Sequence, residues 1–210
     1  MNYGDQEFLD ALRIRAPRYE LELAPAVSER LRDYYAHIAE WNARLHLVAP
    51  CPPAEFATRH VLESLVALPY FSTGAHVADI GSGAGLPIIP CLIARPDLRA
   101  TLIEASPKKA VFLREALRRL ELHTAAQVVA ARFEETTPPP SANYVTCRAL
   151  EKFIETLPRL VRWSPPSSTL LLFGGPTLGD KIASLRLTCS AIQMPDSEQR
   201  FLFIVGRETN

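Results

Sequence analysis

Asp79-Ile80-Gly81-Ser82-Gly83-Ala84-Gly85 joins an acidic residue to three glycines at alternate positions. Such a segment lets the backbone pass close to a bound ligand, because glycine reaches positive φ without steric cost and carries no side chain. The apolar run 75–80 before it reads as a short buried strand, and 86–94 after it reads as a helix. Strand, glycine loop and helix form the setting in which nucleotide-like cofactors are held. A second acidic residue, Glu104, closes the run Ala100-Thr101-Leu102-Ile103. A carboxylate at a strand end suits a ribose diol, since each oxygen accepts one O–H bond.

Two cofactor classes compete for the loop. A dinucleotide site needs G-x-G-x-x-G, and Leu86 stands where its third glycine belongs. The pattern D-x-G-x-G-x-G instead resembles the S-adenosylmethionine (SAM) loop of Rossmann-like methyltransferases. On that reading the backbone of Gly81, Gly83 and Gly85 passes the amino-acid and ribose portions, and Asp79 lies near the cationic amine. Glu104 takes the ribose. The backbone of Phe133 and Glu134, after the third strand, brackets the adenine edge.

These residues need a frame. Over the first 70 residues the chain is helical in pattern: Phe8, Leu9 and Leu12 make one short apolar face, and Val27, Leu31, Tyr34, Tyr35, Ile38, Trp41 and Leu45 make a longer one. A third face follows Pro50, Pro52 and Pro53, with Phe56, His60, Val61, Leu65 and Leu68. From about Gly74, strands at 75–80, 99–104, 126–130, 143–147, 168–173 and 200–205 alternate with helices at 86–94, 107–121, 150–162 and 178–186. That alternation predicts βαβ units in a mostly parallel sheet. One more strand is expected near Cys189–Met194, forming a hairpin with the last and placing one terminal strand antiparallel. The expected class is α/β, a Rossmann-like SAM-dependent methyltransferase fold with seven strands and helices on both faces. A helical extension (1–65) precedes a catalytic domain (66–210).

Composition limits the alternatives. The 210 residues include 23 Lys+Arg and 23 Asp+Glu, so the net charge is zero and only a local basic face could meet nucleic acid. The four cysteines, Cys51, Cys91, Cys147 and Cys189, have no metal-ligand spacing, and no metal is expected. No signal-like N-terminus or bilayer-length apolar run appears, so a cytoplasmic protein away from membranes is expected.

The match then becomes more specific. Leu86-Pro87-Ile88-Ile89-Pro90, Ser106-Pro107-Lys108-Lys109-Ala110-Val111-Phe112-Leu113 and Cys147-Arg148-Ala149 together resemble the RsmG family, also called GidB. Trp41-Asn42 and Arg59-His60-Val61-Leu62-Glu63-Ser64-Leu65 are similar to its W-N and R-H-x-L-D-S-L segments. The resemblance runs from about residue 30 to the C-terminus. It implies methylation of guanine N7 in small-subunit (16S) ribosomal RNA, with SAM contacts at Gly81, Leu86, Phe133, Glu134 and Arg148. It also implies that RNA, free or in a partly assembled 30S subunit, is the partner. The chain departs from the pattern at Gly174, where the family usually has a lysine, at Pro87–Pro90 and at His46–Val48.

N7 carries a lone pair and no proton, so no general base is expected. Arg148 is the candidate for orienting base and cofactor. Lys108, Arg114, Arg118 and Arg119 lie off the apolar face of helix 107–121 and are candidate RNA contacts. The five histidines form no cluster in sequence and are expected to be structural or solvated. A monomer is expected. A SAM enzyme acting on a small molecule and a non-catalytic, SAM-binding ribosome assembly factor are the rival readings.

Overall fold

The structure, a computed structural model, describes residues 3–150 and 152–206. Helices α1 (Tyr3–Arg15) and α2 (Pro25–Leu45) open the chain. A continuous helical rod follows, made of α3 (Pro53–Glu55), π turns over Phe56–Leu62, and α4 (Glu63–Leu65). Then come β1 (His76–Ile80), α5 (Ile88–Ala94), β2 (Arg99–Ile103), α6 (Pro107–Arg119), β3 (Ala126–Val129) and β4 (Tyr144–Arg148). The chain continues through α7 (Phe153–Trp163), β5 (Thr169–Gly174), α8 (Pro176–Ser184), β6 (Thr188–Gln193) and β7 (Phe201–Gly206).

The seven strands form one sheet in the order β3-β2-β1-β4-β5-β7-β6. The first five pair in parallel. β7 runs antiparallel to both β5 and β6. The expected class and the terminal antiparallel hairpin are therefore both present. β1 is buried along nearly its whole length, as a central parallel strand covered by helices on both faces must be.

Two cores flank the sheet. On one face α5 and α6 share a core with α1, α2 and the rod: Phe8, Leu31, Tyr34, Phe56, Leu65, Ile88, Phe112 and Leu113 all belong to it. On the other, Leu157 and Leu160 of α7 and Leu178 and Ile182 of α8 pack on Val145, Leu170 and Leu172. In α2, Leu31, Tyr34 and Ile38 recur at helical spacing and are buried. α6 starts at Pro107 behind Ser106, whose hydroxyl accepts from the Lys109 amide. α7 begins at Phe153, later than its apolar pattern predicts, because Ala149 (φ 55) and Lys152 (φ 50) hold left-handed backbone that no helix can include.

Candidate functional site

A cleft of about 580 Å³ lies over the C-terminal ends of β1, β2 and β4. β1 is flanked by β2 on one side and β4 on the other, so this is where the strand order reverses. In open α/β sheets that reversal is where ligands bind. Loop residues Gly81–Ala84 and Leu86 line the cleft, with Glu104–Ser106, Lys109 and Arg148–Leu150. Leu47, Val48, Ala49 and His60 line it too, so the N-terminal helical segment supplies part of the wall.

The glycines divide by role. Gly81 (φ 65) and Gly83 (φ 53) border the cleft in left-handed backbone. A Cβ on Gly81 would sit 2.6 Å from Leu150 Cδ1, whereas one on Gly83 would meet only the Gly81 carbonyl oxygen at 3.7 Å, an ordinary contact. Gly85 (φ 89) does not line the cleft among the described residues; a Cβ there would strike Ile89 and crowd Leu113. The third glycine lets α5 and α6 close against the loop. Of the three expected glycines, Gly81 and Gly83 border the cleft, while Gly85 packs against Ile89 and Leu113.

Glu104 clamps the loop. Its Oε2 accepts from the Gly83 amide at 2.8 Å and its Oε1 accepts from the Ser106 amide at 2.7 Å. Each oxygen keeps a further lone pair, so the carboxylate can still accept from a diol. Tyr34 of α2, fully buried, donates to the Ala84 carbonyl at 2.8 Å and holds the loop from the other side. Asp79 lies beneath the loop and does not line the cleft. Its Oδ1 accepts from Thr146 at 2.6 Å, while its Oδ2 is buried without a partner. Burial raises its pKa to about 7; the Thr146 hydrogen bond offsets part of that and Glu104 adds to it.

Arg148 closes β4 and reaches into the rod. It donates to the Arg59 carbonyl at 2.6 Å, to Ser64 Oγ at 3.3 Å and to Glu63 Oε2 at 3.3 Å. Its guanidinium carbon stands 5.6 Å from the Phe173 ring centre. Glu63 is almost wholly buried and also accepts from Arg200 at 2.7 Å. Burial lowers the pKa of Arg148, with Glu63 opposing.

Not every expected contact reaches the cleft. Phe133 and Glu134 follow β3 in a single 3₁₀ turn away from it. The Phe133 ring packs edge-on against Trp163, and Glu134 faces Arg159 at 3.7 Å. Arg119 is paired with Glu40 of α2 at 2.7 Å and touches His37, so it ties α6 to α2 rather than facing solvent alone. Lys108, Arg114 and Arg118 are exposed. Gly174 does not line the cleft, and a Cβ there would meet Leu178. His60 was not expected at the site. A lone histidine on an apolar helical face gives no chemical signal; its place in the R-H-x-L-D-S-L-like segment marks it, and the fold brings it to the cleft.

Residues 27–204 match the family described as rRNA small subunit methyltransferase G, GidB. A curated ribosomal RNA small subunit methyltransferase G from Xanthomonas axonopodis pv. citri is 40% identical over 78% of this chain and 76% of its own length. One of the same description from Xanthomonas campestris pv. campestris is 40% identical over 85% and 86%. A solved tRNA methyltransferase from Bacillus subtilis, TrmK, superposes with a TM-score of 0.56 at 13% identity, covering 70% of this chain and 65% of that one. That likeness concerns the fold alone. The fold and cleft define a Rossmann-like methyltransferase. The chain belongs to the rRNA small subunit methyltransferase G family.

Two outcomes separate the parts of this site. Gly81→Ala is expected to weaken SAM binding roughly tenfold or more while the protein stays folded. Gly85→Ala is expected to cost about 1–3 kcal/mol of stability through overpacking. Calorimetric titration and urea unfolding of both variants would reveal the opposite assignment if it held.

Asp79 gives a pH signature. Unfolded, it ionises near 3.8; folded, it keeps its proton to about 7. Between those values the native state binds the extra proton, so this contribution is complete below pH 4 and is lost as pH rises through 7. Asp79→Asn should therefore remove a fall of roughly 3 kcal/mol in unfolding free energy between pH 5 and pH 8. Parallel pH profiles for the variant and the parent protein would contradict it.

Proposed function

We propose that this protein methylates N7 of a guanine in small-subunit (16S) ribosomal RNA, using SAM. The observation that carries the reading is the cleft at the strand reversal, built from the glycine loop and Glu104 on one part and from Arg148 and the N-terminal wall on another. Family membership supports the choice of acceptor.

The residues present suit SAM. Gly81 and Gly83 keep the loop free of side chains, and a cleft of about 580 Å³ lies within the range of small-ligand sites. Gly81, Gly83, Leu86 and the Glu104 carboxylate would hold the cofactor, with Arg148 beside it. Asp79, beneath the loop, remains a proposed neighbour of the cofactor's cationic amine. Phe133 and Glu134 remain proposed adenine neighbours.

When bound, SAM supplies an electrophilic methyl group that the N7 lone pair takes with no prior loss of a proton. The chain need not provide a base. Its task is alignment, which contributes roughly 7–11 kcal/mol in well-oriented reactions. The loop fixes the cofactor side, and the wall formed by Leu47, Val48 and Ala49 meets the incoming base. Asn42 sets that wall by exchanging two hydrogen bonds with the Val48 backbone, each 3.0 Å.

We divide the chain into a helical extension (1–65) and a methyltransferase domain (66–210), and take it to act in the cytoplasm as a monomer. Lys108, Arg114 and Arg118 are the proposed phosphate contacts on α6; the Glu40 pairing of Arg119 makes it the weakest of the four. No helix among the described residues is long and apolar enough to cross a membrane.

Mapping N7-methylguanine in small-subunit RNA, from cells with and without the gene, tests the acceptor; one methylated guanine should disappear, and an unchanged map refutes the assignment. Charge reversal at Lys108 and Arg118 should reduce the dependence of RNA binding on salt by a slope of about two. An unaltered slope would move the phosphate contacts elsewhere.

A further inference from the structure

His60 shares the cleft with the glycine loop and Arg148. It lies on the π turns of the rod and lines the cleft with Gly81, Glu104 and Arg148. Its backbone is fixed on both sides. The carbonyl of Arg59 accepts from Arg148, and the carbonyl of His60 accepts from Ser64 Oγ at 2.5 Å. Its ring packs against Phe56 with centres 4.9 Å apart. The ring is thus held as rigidly as a loop residue seldom is, and π turns of this kind recur at functional sites.

The ring is also chemically ready. Burial, with Arg148 and Arg59 nearby, pushes its pKa down to about 4, against a smaller opposing effect of Glu55. Near neutral pH it is therefore an uncharged imidazole, with one N–H and one lone pair. Nδ1 is enclosed and has no partner. The tautomer that strands no buried N–H leaves Nδ1 bare and puts the proton on Nε2.

Guanine offers two acceptors on the relevant edge, N7 and O6. N7 must be free for the methyl group, so O6 is the atom left for recognition. Arg148 is a poor donor to it, because Glu63, Ser64 and the Arg59 carbonyl already engage its guanidinium.

We infer that His60 is a base-contacting residue, its Nε2–H donating to O6 of the acceptor guanine and turning N7 toward the methyl group. The inference rests on the reading of the cleft as a guanine-N7 methyltransferase site. The hydrogen bond is neutral, so it orients the base without bringing a cation next to the nitrogen that becomes positively charged.

The test compares His60→Ala, His60→Asn and His60→Gln with the parent protein, using small ribosomal subunits lacking the modification. The parent enzyme is assayed first; absence of N7 methylation there would refute the proposed function, whatever the variants do. Given parental activity, His60→Ala should bind SAM within about twofold of the parent by calorimetry and lose roughly tenfold or more in single-turnover methyl transfer. His60→Gln, whose amide nitrogen reaches about as far as Nε2, should recover most of the loss; the shorter His60→Asn should not. Parental turnover in His60→Ala would overturn the inference. So would a parallel loss of SAM affinity, which would make His60 part of the cofactor wall. Equal weakness of the Gln and Ala variants would reduce the ring to packing.

Discussion

A single buried carboxylate holds the two halves of the site together. Glu63 accepts from Arg148 at the end of β4 and from Arg200 just before β7, and almost none of it is exposed. Two cations around one anion inside a protein stabilise the fold only if their remaining donors are also satisfied. For Arg148 they are: it adds the Arg59 carbonyl and Ser64, and its guanidinium lies against the Phe173 ring, whereas Arg200 is partly exposed to solvent. The cost of burial is thereby turned into geometry. Removing Glu63 would leave a largely buried guanidinium without its counter-charge, a far larger loss than the net worth of the triad. Because Arg59, Glu63 and Ser64 belong to one rod, fixing Arg148 fixes the π turns and everything on them.

The N-terminal helices extend the same logic to the loop. Tyr34 holds the Ala84 carbonyl, Asn42 holds Val48, and Arg30 donates to the Leu120 carbonyl at 2.8 Å. Trp41 packs edge-on against Phe112 of α6. Neither the glycine loop nor the Leu47–Ala49 wall is therefore positioned by the sheet alone. A Rossmann-like sheet orders the first strand end and the acid after β2. The acceptor side here is built by helices that come earlier in the chain. In the short Trp41-Asn42 and Arg59–Ser64 segments, Trp41 meets Phe112, and the Arg59 carbonyl, Glu63 and Ser64 all meet Arg148.

Much of the fold was legible because its signals are local. Alternating strands and helices, the Ser106-Pro107 helix start, and the glycine loop each lie within a dozen residues. Glu104 could be read as a strand-end acid, though not its grip on the Gly83 amide. What could not be read was long-range pairing. Arg119 looked like a solvent-facing cation until Glu40, on another helix, proved to occupy it. Gly85 looked like its two neighbours, but the side chains of Ile89 and Leu113 determine its role. His60 lies on a stripe of apolar residues and looked like core. Its approach to the cleft depends on β4 meeting the rod, a contact between residues more than eighty positions apart.

The placement of charge follows from the reaction. Methylation at N7 leaves the guanine ring cationic, so a cation aimed at that atom would oppose the step. At an effective dielectric near 20, a unit charge about 4 Å away costs roughly 4 kcal/mol, or about a thousandfold in rate. Arg148 borders the cleft, yet its donors point into Glu63, Ser64 and the Arg59 carbonyl, and its charge is matched by a buried anion. Burial, helped by the same guanidinium, keeps His60 unprotonated. One ion pair thus positions the wall and withholds positive charge from the group nearest the acceptor. A lysine or free arginine in place of His60 would supply a stronger hydrogen-bond donor, but would place a full charge beside the nitrogen that must itself become positive.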